Sequence, residues 1–204
     1  MQTNDEKLES ILADPWLGRP RTRWSLSLVF VIVVLVGLRP VIVRNLLARA
    51  EAYSSNGLYK NAARESNKAV FLDTSNIEAW NLLGSSYKNQ DDLDNAVIAY
   101  LNAINVKPNN IIAHFRVAMI FAVEQNYNRA IPHFERVRYF GPETYKELAI
   151  DNFSYYRASL EMLSLCYERT GRTEKQQAVL KDLARTYPKF LKTSDELQSI
   201  KQSK

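Results

Sequence analysis

Cysteine occurs once in 204 residues, at Cys166, so neither an internal disulfide framework nor a multi-cysteine metal site is possible. Histidine occurs twice, as His114 and His133. The chain lacks His-x-x-x-His, a glycine-rich phosphate loop and Gly-x-Ser-x-Gly. Glycine is also scarce, with six residues. No single sign of charge dominates: Lys and Arg exceed Asp and Glu by only five, and the two kinds are mixed along most of the chain. A nucleic-acid binder gathers its cations into one strip instead, so nucleic acid is not an expected partner. His114 reads as a half-buried packing residue and Cys166 as small core filler. Asp91, Asp92 and Asp94 read as caps and favourable charges at a helix start. No enzyme, cofactor, metal or small-molecule substrate is expected.

What the chain does have, near its start, is a long run free of charge. Residues 24–38 carry no ionisable side chain; Arg39 and Pro40 follow, then Val41, Ile42 and Val43. As a helix, 24–38 gives about 22 Å, and extension to Val43 gives about 30 Å, the thickness of a bilayer core. Arg39 then lies near one end, where its stem can snorkel to the headgroups. Trp16 and Trp24 fall where an interfacial aromatic anchors a span. A buried soluble helix competes poorly, because so many β-branched residues leave no polar face. A cleaved signal peptide suits the basic flank 19–23, but no small-x-small site directly follows the apolar core. The reading is a single-pass anchor over 24–43 with an N-terminal tail over 1–23. Arginines crowd both flanks, so the positive-inside rule is nearly balanced. Clustered Arg19, Arg21 and Arg23 resist translocation, which leans the rest of the chain to the extracytoplasmic side.

Beyond the anchor the sequence repeats with a period of 34. Tyr53, Tyr87 and Phe121 are so spaced, as are Ala62, Ala96 and Ala130, and Leu46, Trp80 and His114. Leu160, Leu163, Tyr167, Leu180, Leu183 and Pro188 mark a fourth copy after an insertion at 145–156. Small residues Ala50, Gly84, Ala118 and Ser164 would let paired helices approach closely. Gly57 and Gly171 mark turns within pairs, and Pro108, Pro142 and Pro188 end second helices. Pro132, inside the second helix of copy three, is tolerable if that helix starts near Asn128. Asp151 is a plausible N-cap for an early start to copy four, and the tail matches a capping box at 193–196.

The second copy reads Trp80-x2-Leu83-Gly84-x2-Tyr87, then Ala96-x3-Tyr100-x2-Ala103, then Pro108. It resembles the tetratricopeptide repeat at every signature position. The resemblance implies an all-α chain: after the transmembrane helix, a right-handed superhelix of four helix hairpins over 44–190, at 44–76, 77–110, 111–144 and 157–190. A capping helix and tail would follow at 191–204. Departures from the pattern sit in the outer copies: Arg49 stands where leucine is usual, Ser66 where an aromatic is usual, and Gln176 where alanine is usual.

The resemblance also implies a concave groove lined by first helices, with a protein or peptide segment as partner. Its positions are Leu47, Glu51 and Ser54 in copy one, and Asn81, Ser85 and Lys88 in copy two. Copy three supplies Ile112, Phe115, Arg116, Met119 and Ala122, and copy four Glu161, Leu165 and Glu168. The clamp that some relatives use for acidic chaperone tails is not matched, since its places hold Leu47, Glu51, Leu82, Ile112 and Arg116. Only Arg116 agrees, and a buried Glu51 would repel a carboxylate. The function expected is a membrane-anchored adaptor or scaffold that assembles or stabilises a membrane-associated complex. Alternatives are a structural subunit of an envelope secretion or pilus-type machine, or an accessory regulator of a membrane enzyme.

Overall fold

The computed structural model describes residues 21–141 and 155–188, with side chains from residue 37 onward. Among the described residues all regular structure is helical. The helices are α1 (Arg21–Ser55), α2 (Tyr59–Leu72), α3 (Ile77–Lys88), α4 (Leu93–Val106), α5 (Ile111–Val123), α6 (Tyr127–Phe140), α7 (Tyr155–Arg169) and α8 (Thr173–Thr186). The chain divides into two compact units between Val43 and Arg44.

The backbone of α1 runs unbroken through Pro40. Among the described residues no helix is long and apolar enough to cross a membrane. The apolar run lies mostly at 24–36, whose side chains fall outside the described residues, as do most of the insertion, Asp151 and the tail at 191–204.

From Arg44 onward the helices pack in chain order. Each of α2 to α8 lies against the next, and α5 also meets α7. Local chemistry sets the starts. The side chains of Asn76, Asp92 and Asn110 accept from Ala79 N–H (2.8 Å), Asn95 N–H (3.3 Å) and Ala113 N–H (3.2 Å), capping α3, α4 and α5. Val106 and Thr186 end their helices just before Pro108 and Pro188, while Pro142 lies outside the described residues.

The turn inside each pair is the same in all four copies. Leu58, Asp92, Asn126 and Arg172 each donate their N–H to the carbonyl of Tyr53, Tyr87, Phe121 and Tyr167, at 2.7–3.0 Å. This closes the first helix with a Schellman-type bond, which needs a left-handed residue beside it. Gly57 and Gly171 supply one, with φ of 73° and 70°. In copies two and three Asp91 (63°) and Gln125 (58°) take the same conformation at the cost that a Cβ imposes there. Gln125→Gly relieves that cost but frees the unfolded chain, so a net gain of about 0.5 kcal/mol is expected in chemical denaturation.

In copies two to four a small residue on the first helix is matched in phase by a larger one on the second, while copy one has Ser66 there. A Cβ on Gly84 would stand 2.7 Å from the ring of Tyr100, which is wholly buried. The same phases hold Ala50 and Ser66, Ala118 and Phe134, and Ser164 and Leu180, all buried. The departure at Arg49 also has a partner. Its guanidinium lies 3.6 Å from the carboxylate of Glu65, which replaces the Ala99, His133 and Val179 of the other copies. Lys68 (2.8 Å) and Arg64 (3.5 Å) complete the cluster. The hydrogen bond from Lys68 holds the Glu65 carboxyl below its ordinary pKa, against the opposing effect of burial.

Pro132 corrects one expectation. Helix α6 starts at Tyr127, so Pro132 is its sixth residue rather than part of the first turn. It is tolerated because it is exposed, so the carbonyl that its missing N–H would serve can turn to water.

Candidate peptide-binding groove

First helices α3, α5 and α7 carry the positions expected to face a partner. On α3, Asn81, Ser85 and Lys88 fall at i, i+4 and i+7; on α5, Ile112, Phe115, Arg116 and Met119 do the same with one addition. The structure opens a cleft of about 360 Å³ between the end of α3, the start of α4 and the face of α5. Leu93, Phe115, Met119 and Ile120 make it apolar, with Val123, 70% exposed, at its mouth. Lys88, Arg116 and Asp91 supply its charged lining.

Four of the eight positions singled out from sequence, Lys88, Phe115, Arg116 and Met119, therefore line one cleft. The other four do not line it. Asn81 is half-buried and its Oδ1 accepts a long 3.5 Å bond from Asn110, tying α3 to the cap of α5. Ser85 spends its hydroxyl on the Leu82 carbonyl at 3.0 Å. Ile112 and Leu165 are half-buried. Phe115 is only 8% exposed, held edge-on by Phe134 and by Tyr155, with ring centres 6.2 and 5.2 Å away. It forms a wall of the cleft, whereas Met119 keeps an accessible, adaptable surface.

Of the remaining candidates, Leu47 and Ala122 are buried, Ser54 and Glu161 half-buried, and Glu51 and Glu168 exposed. The exposure of Glu51 corrects the expectation of a buried carboxylate. Sequence reasoning missed Asp91 and Leu93, since a first-helix pattern does not count the turn and the start of the second helix as lining, and it missed Ile120 and Val123, which lie on α5 outside the positions the pattern selects. One signal was available: α5 is apolar almost all round, His114 and Arg116 being its only polar side chains.

Under Arg116 lies Tyr100, whose ring centre is 5.9 Å from the guanidinium. Among the described residues no group meets its buried hydroxyl in full hydrogen-bond geometry, and Arg116 is the nearby cation. Burial pushes the Tyr100 pKa up to about 12, so this group is a neutral donor at any physiological pH. Burial likewise pushes the Cys166 thiol to about 11, leaving it unreactive core, as its position suggested. Among the described residues no three His, Cys, Asp or Glu side chains could together hold a metal ion.

The two histidines, distant in sequence, touch. His114 Nδ1 stands 3.0 Å from His133 Nδ1, and His114 Nε2 lies 3.1 Å from the Pro108 carbonyl. A carbonyl only accepts, so neutral His114 donates its Nε2–H to Pro108 and its Nδ1 accepts a hydrogen bond from His133 Nδ1–H. Burial lowers both pKa values, that of His133 to about 4, with the neighbouring His114 and Arg129 adding to the shift. The unfolded chain thus binds protons first as pH falls. Stability is whole above the ordinary value of 6.5 and drains between 6.5 and about 4. Allowing for partial exposure, about 1 kcal/mol is expected to go between pH 7 and 4.5. His133→Gln should flatten that part of the profile in urea titrations at the two pH values.

Residues 77–110 match the model of the tetratricopeptide repeat. Solved structures extend the likeness along the chain. A crystal structure of MamA shares 22% identity at a TM-score of 0.61, covering 76% of this chain and 78% of that one. The type III secretion chaperone SycD of Yersinia enterocolitica, solved in complex with a peptide of the translocator YopD, shares 16% identity at 0.56, covering 62% and 93%. The tetratricopeptide domain of Arabidopsis OM64 shares 12% identity at 0.53, covering 61% and 96%. The fold is a tetratricopeptide-repeat array. No curated protein matches the sequence significantly. Within the array the cleft occupies the face of the third copy's first helix, against the end of the second copy's.

Proposed function

We propose that this chain is a membrane-anchored tetratricopeptide adaptor whose groove holds a segment of a partner protein, assembling or stabilising a complex at the bilayer. The observation that carries the reading is the cleft on α5: apolar, open at Met119 and Val123, and lined at its edges by Lys88 and Arg116. SycD, of similar fold, was solved with a peptide, which supports a polypeptide as occupant. Binding, not catalysis, is the activity. The charge-free run 24–38 supports the anchor, and the arginines before it favour repeats on the extracytoplasmic side. Anchoring confines the groove to a thin layer beside the bilayer and raises its effective concentration for membrane-bound partners.

The test is site-specific photo-crosslinking in native membranes. A photoreactive residue at Met119 should give a discrete adduct, and one at exposed Asn105 on α4 should not. Met119→Arg should lower partner recovery tenfold or more. Equal adducts from both sites, or none from Met119, would sink the groove reading. Protease protection of sealed vesicles reads the side of the membrane.

One observation favours a structural subunit instead. Ile98 (57%) and Tyr139 (78%) stand exposed on second helices, away from the cleft lining. Stoichiometric co-purification that survives Met119→Arg but is lost with Tyr139→Ser would favour it.

A further inference from the structure

The surface of α2 differs from that of the three other second helices in its charge. Lys60, Arg64 and Lys68 follow at i, i+4 and i+8, and Phe71 comes one turn later. At this spacing the four side chains form one stripe along the helix. All are exposed, Phe71 by 85%. At the first three places α4 has Asp94, Ile98 and Asn102. Helix α6 has Asn128, Pro132 and Arg136, and α8 has Glu174, Ala178 and Asp182. No other described second helix repeats the basic pattern.

Glu65 leaves no acidic side chain at the surface of α2, although it pairs with Arg64 and Lys68 from beneath. It is the only acid within α2, and its side chain is wholly buried. Its carboxylate lies beneath Arg64 and Lys68, and draws in Arg49 from α1, whose side chain is 60% exposed. Three cations thus meet one hidden carboxylate, with Lys60 and a lone aromatic on the same stripe of α2. A soluble array gains nothing from an aromatic left in water beside them. The combination is that of an interfacial membrane contact, with cations for lipid phosphates and an aromatic for the headgroup–acyl boundary. It occurs in the copy that follows the apolar run in the chain.

We propose that the α2 stripe is a docking surface for anionic phospholipid headgroups. This rests on the anchored reading above, since tethering is what keeps so small a patch at a bilayer. The charge complementarity argues for lipid over an apolar protein, and the isolated Phe71 argues for lipid over nucleic acid.

The full chain can be reconstituted in nanodiscs of neutral phosphatidylcholine, with or without phosphatidylglycerol, carrying an environment-sensitive fluorophore on Asn67→Cys. Asn67 is exposed on α2, and native Cys166 is buried. The label should shift to the blue, and be quenched by brominated lipid, only in anionic discs. Salt should reverse the effect. Each lost cation is expected to lower the docked-to-free ratio about fivefold, so Lys60→Gln with Arg64→Gln lowers it about 25-fold. These two leave Lys68 and Arg49 on Glu65, so the fold is retained, as circular dichroism checks. Phe71→Ser should weaken docking without changing its salt dependence. A label that responds equally in neutral discs, or that poly-glutamate or an oligonucleotide takes away from anionic discs at low salt, overturns the proposal. Resistance to carbonate extraction from vesicles reads the anchor separately. A chain that resists extraction but shows no lipid-dependent label keeps the anchor and loses the docking surface.

Discussion

Gly84→Val is expected to cost about 3 kcal/mol of stability, at the upper end for an over-packed core. Even the first added carbon would meet three ring atoms of Tyr100 at 2.7–2.9 Å. That ring is wholly buried between helices, so it cannot swing aside into solvent. Gly84→Ala gains about 1 kcal/mol of helix propensity, yet it should still destabilise, because the clash exceeds the gain. Combining Gly84→Ala with Tyr100→Leu tests the cause. Copy four places a serine against leucine at these phases, Ser164 and Leu180, so the pair should be less harmful together than the sum of its parts. Urea denaturation of the four proteins gives the coupling energy; strict additivity would mean that the close approach is not what Gly84 provides.

The second large effect concerns the joint between copies three and four. Arg138 on α6 donates from Nε and Nη2 to Asp182 of α8 at 2.9 and 2.7 Å. Its Nη1 reaches Glu135 at 3.2 Å, and Glu135 also accepts from the Tyr167 hydroxyl of α7 at 2.6 Å. Asp182 and Glu135 hold the guanidinium in its charged form despite burial. Arg138→Leu leaves Glu135 without its cation and Asp182 with only the exposed Arg185 at 3.3 Å, for about 2 kcal/mol. In a repeat array each unit leans only on its neighbours. Hydrogen exchange should therefore quicken in α7 and α8 while α2 and α3 keep their protection. A uniform loss along the array would show that the network is not a local joint.

The match to the tetratricopeptide pattern was legible because the stacking of like units imposes one spacing on every copy. Tyr53, Tyr87 and Phe121 keep their phase, and Gly57 and Gly171 announce turns that a left-handed residue must make. Asp91 and Gln125 make the same turn with less warning, since Asp adopts a positive φ far less often than glycine and Gln rarely does. Of the residues singled out, Lys88, Phe115, Arg116 and Met119 come together in one cleft because they share the face of α5 or the end of α3 beside it, while Asn81 and Ser85 spend polar atoms within the fold.

Sequence by itself determined the helical pairs, the cap at Asp92, and the small residues Ala50, Gly84, Ala118 and Ser164 within the pairs. Each of these depends on residues at most about 16 positions apart, and local geometry fixes them. Only the tertiary structure decided that Arg49 answers Glu65, that His114 meets His133, and that Arg138 ties α6 to α8. Those side chains come from different helices, and their meeting depends on how the pairs stack. A departure from the repeat pattern reads as noise until its partner is seen beside it.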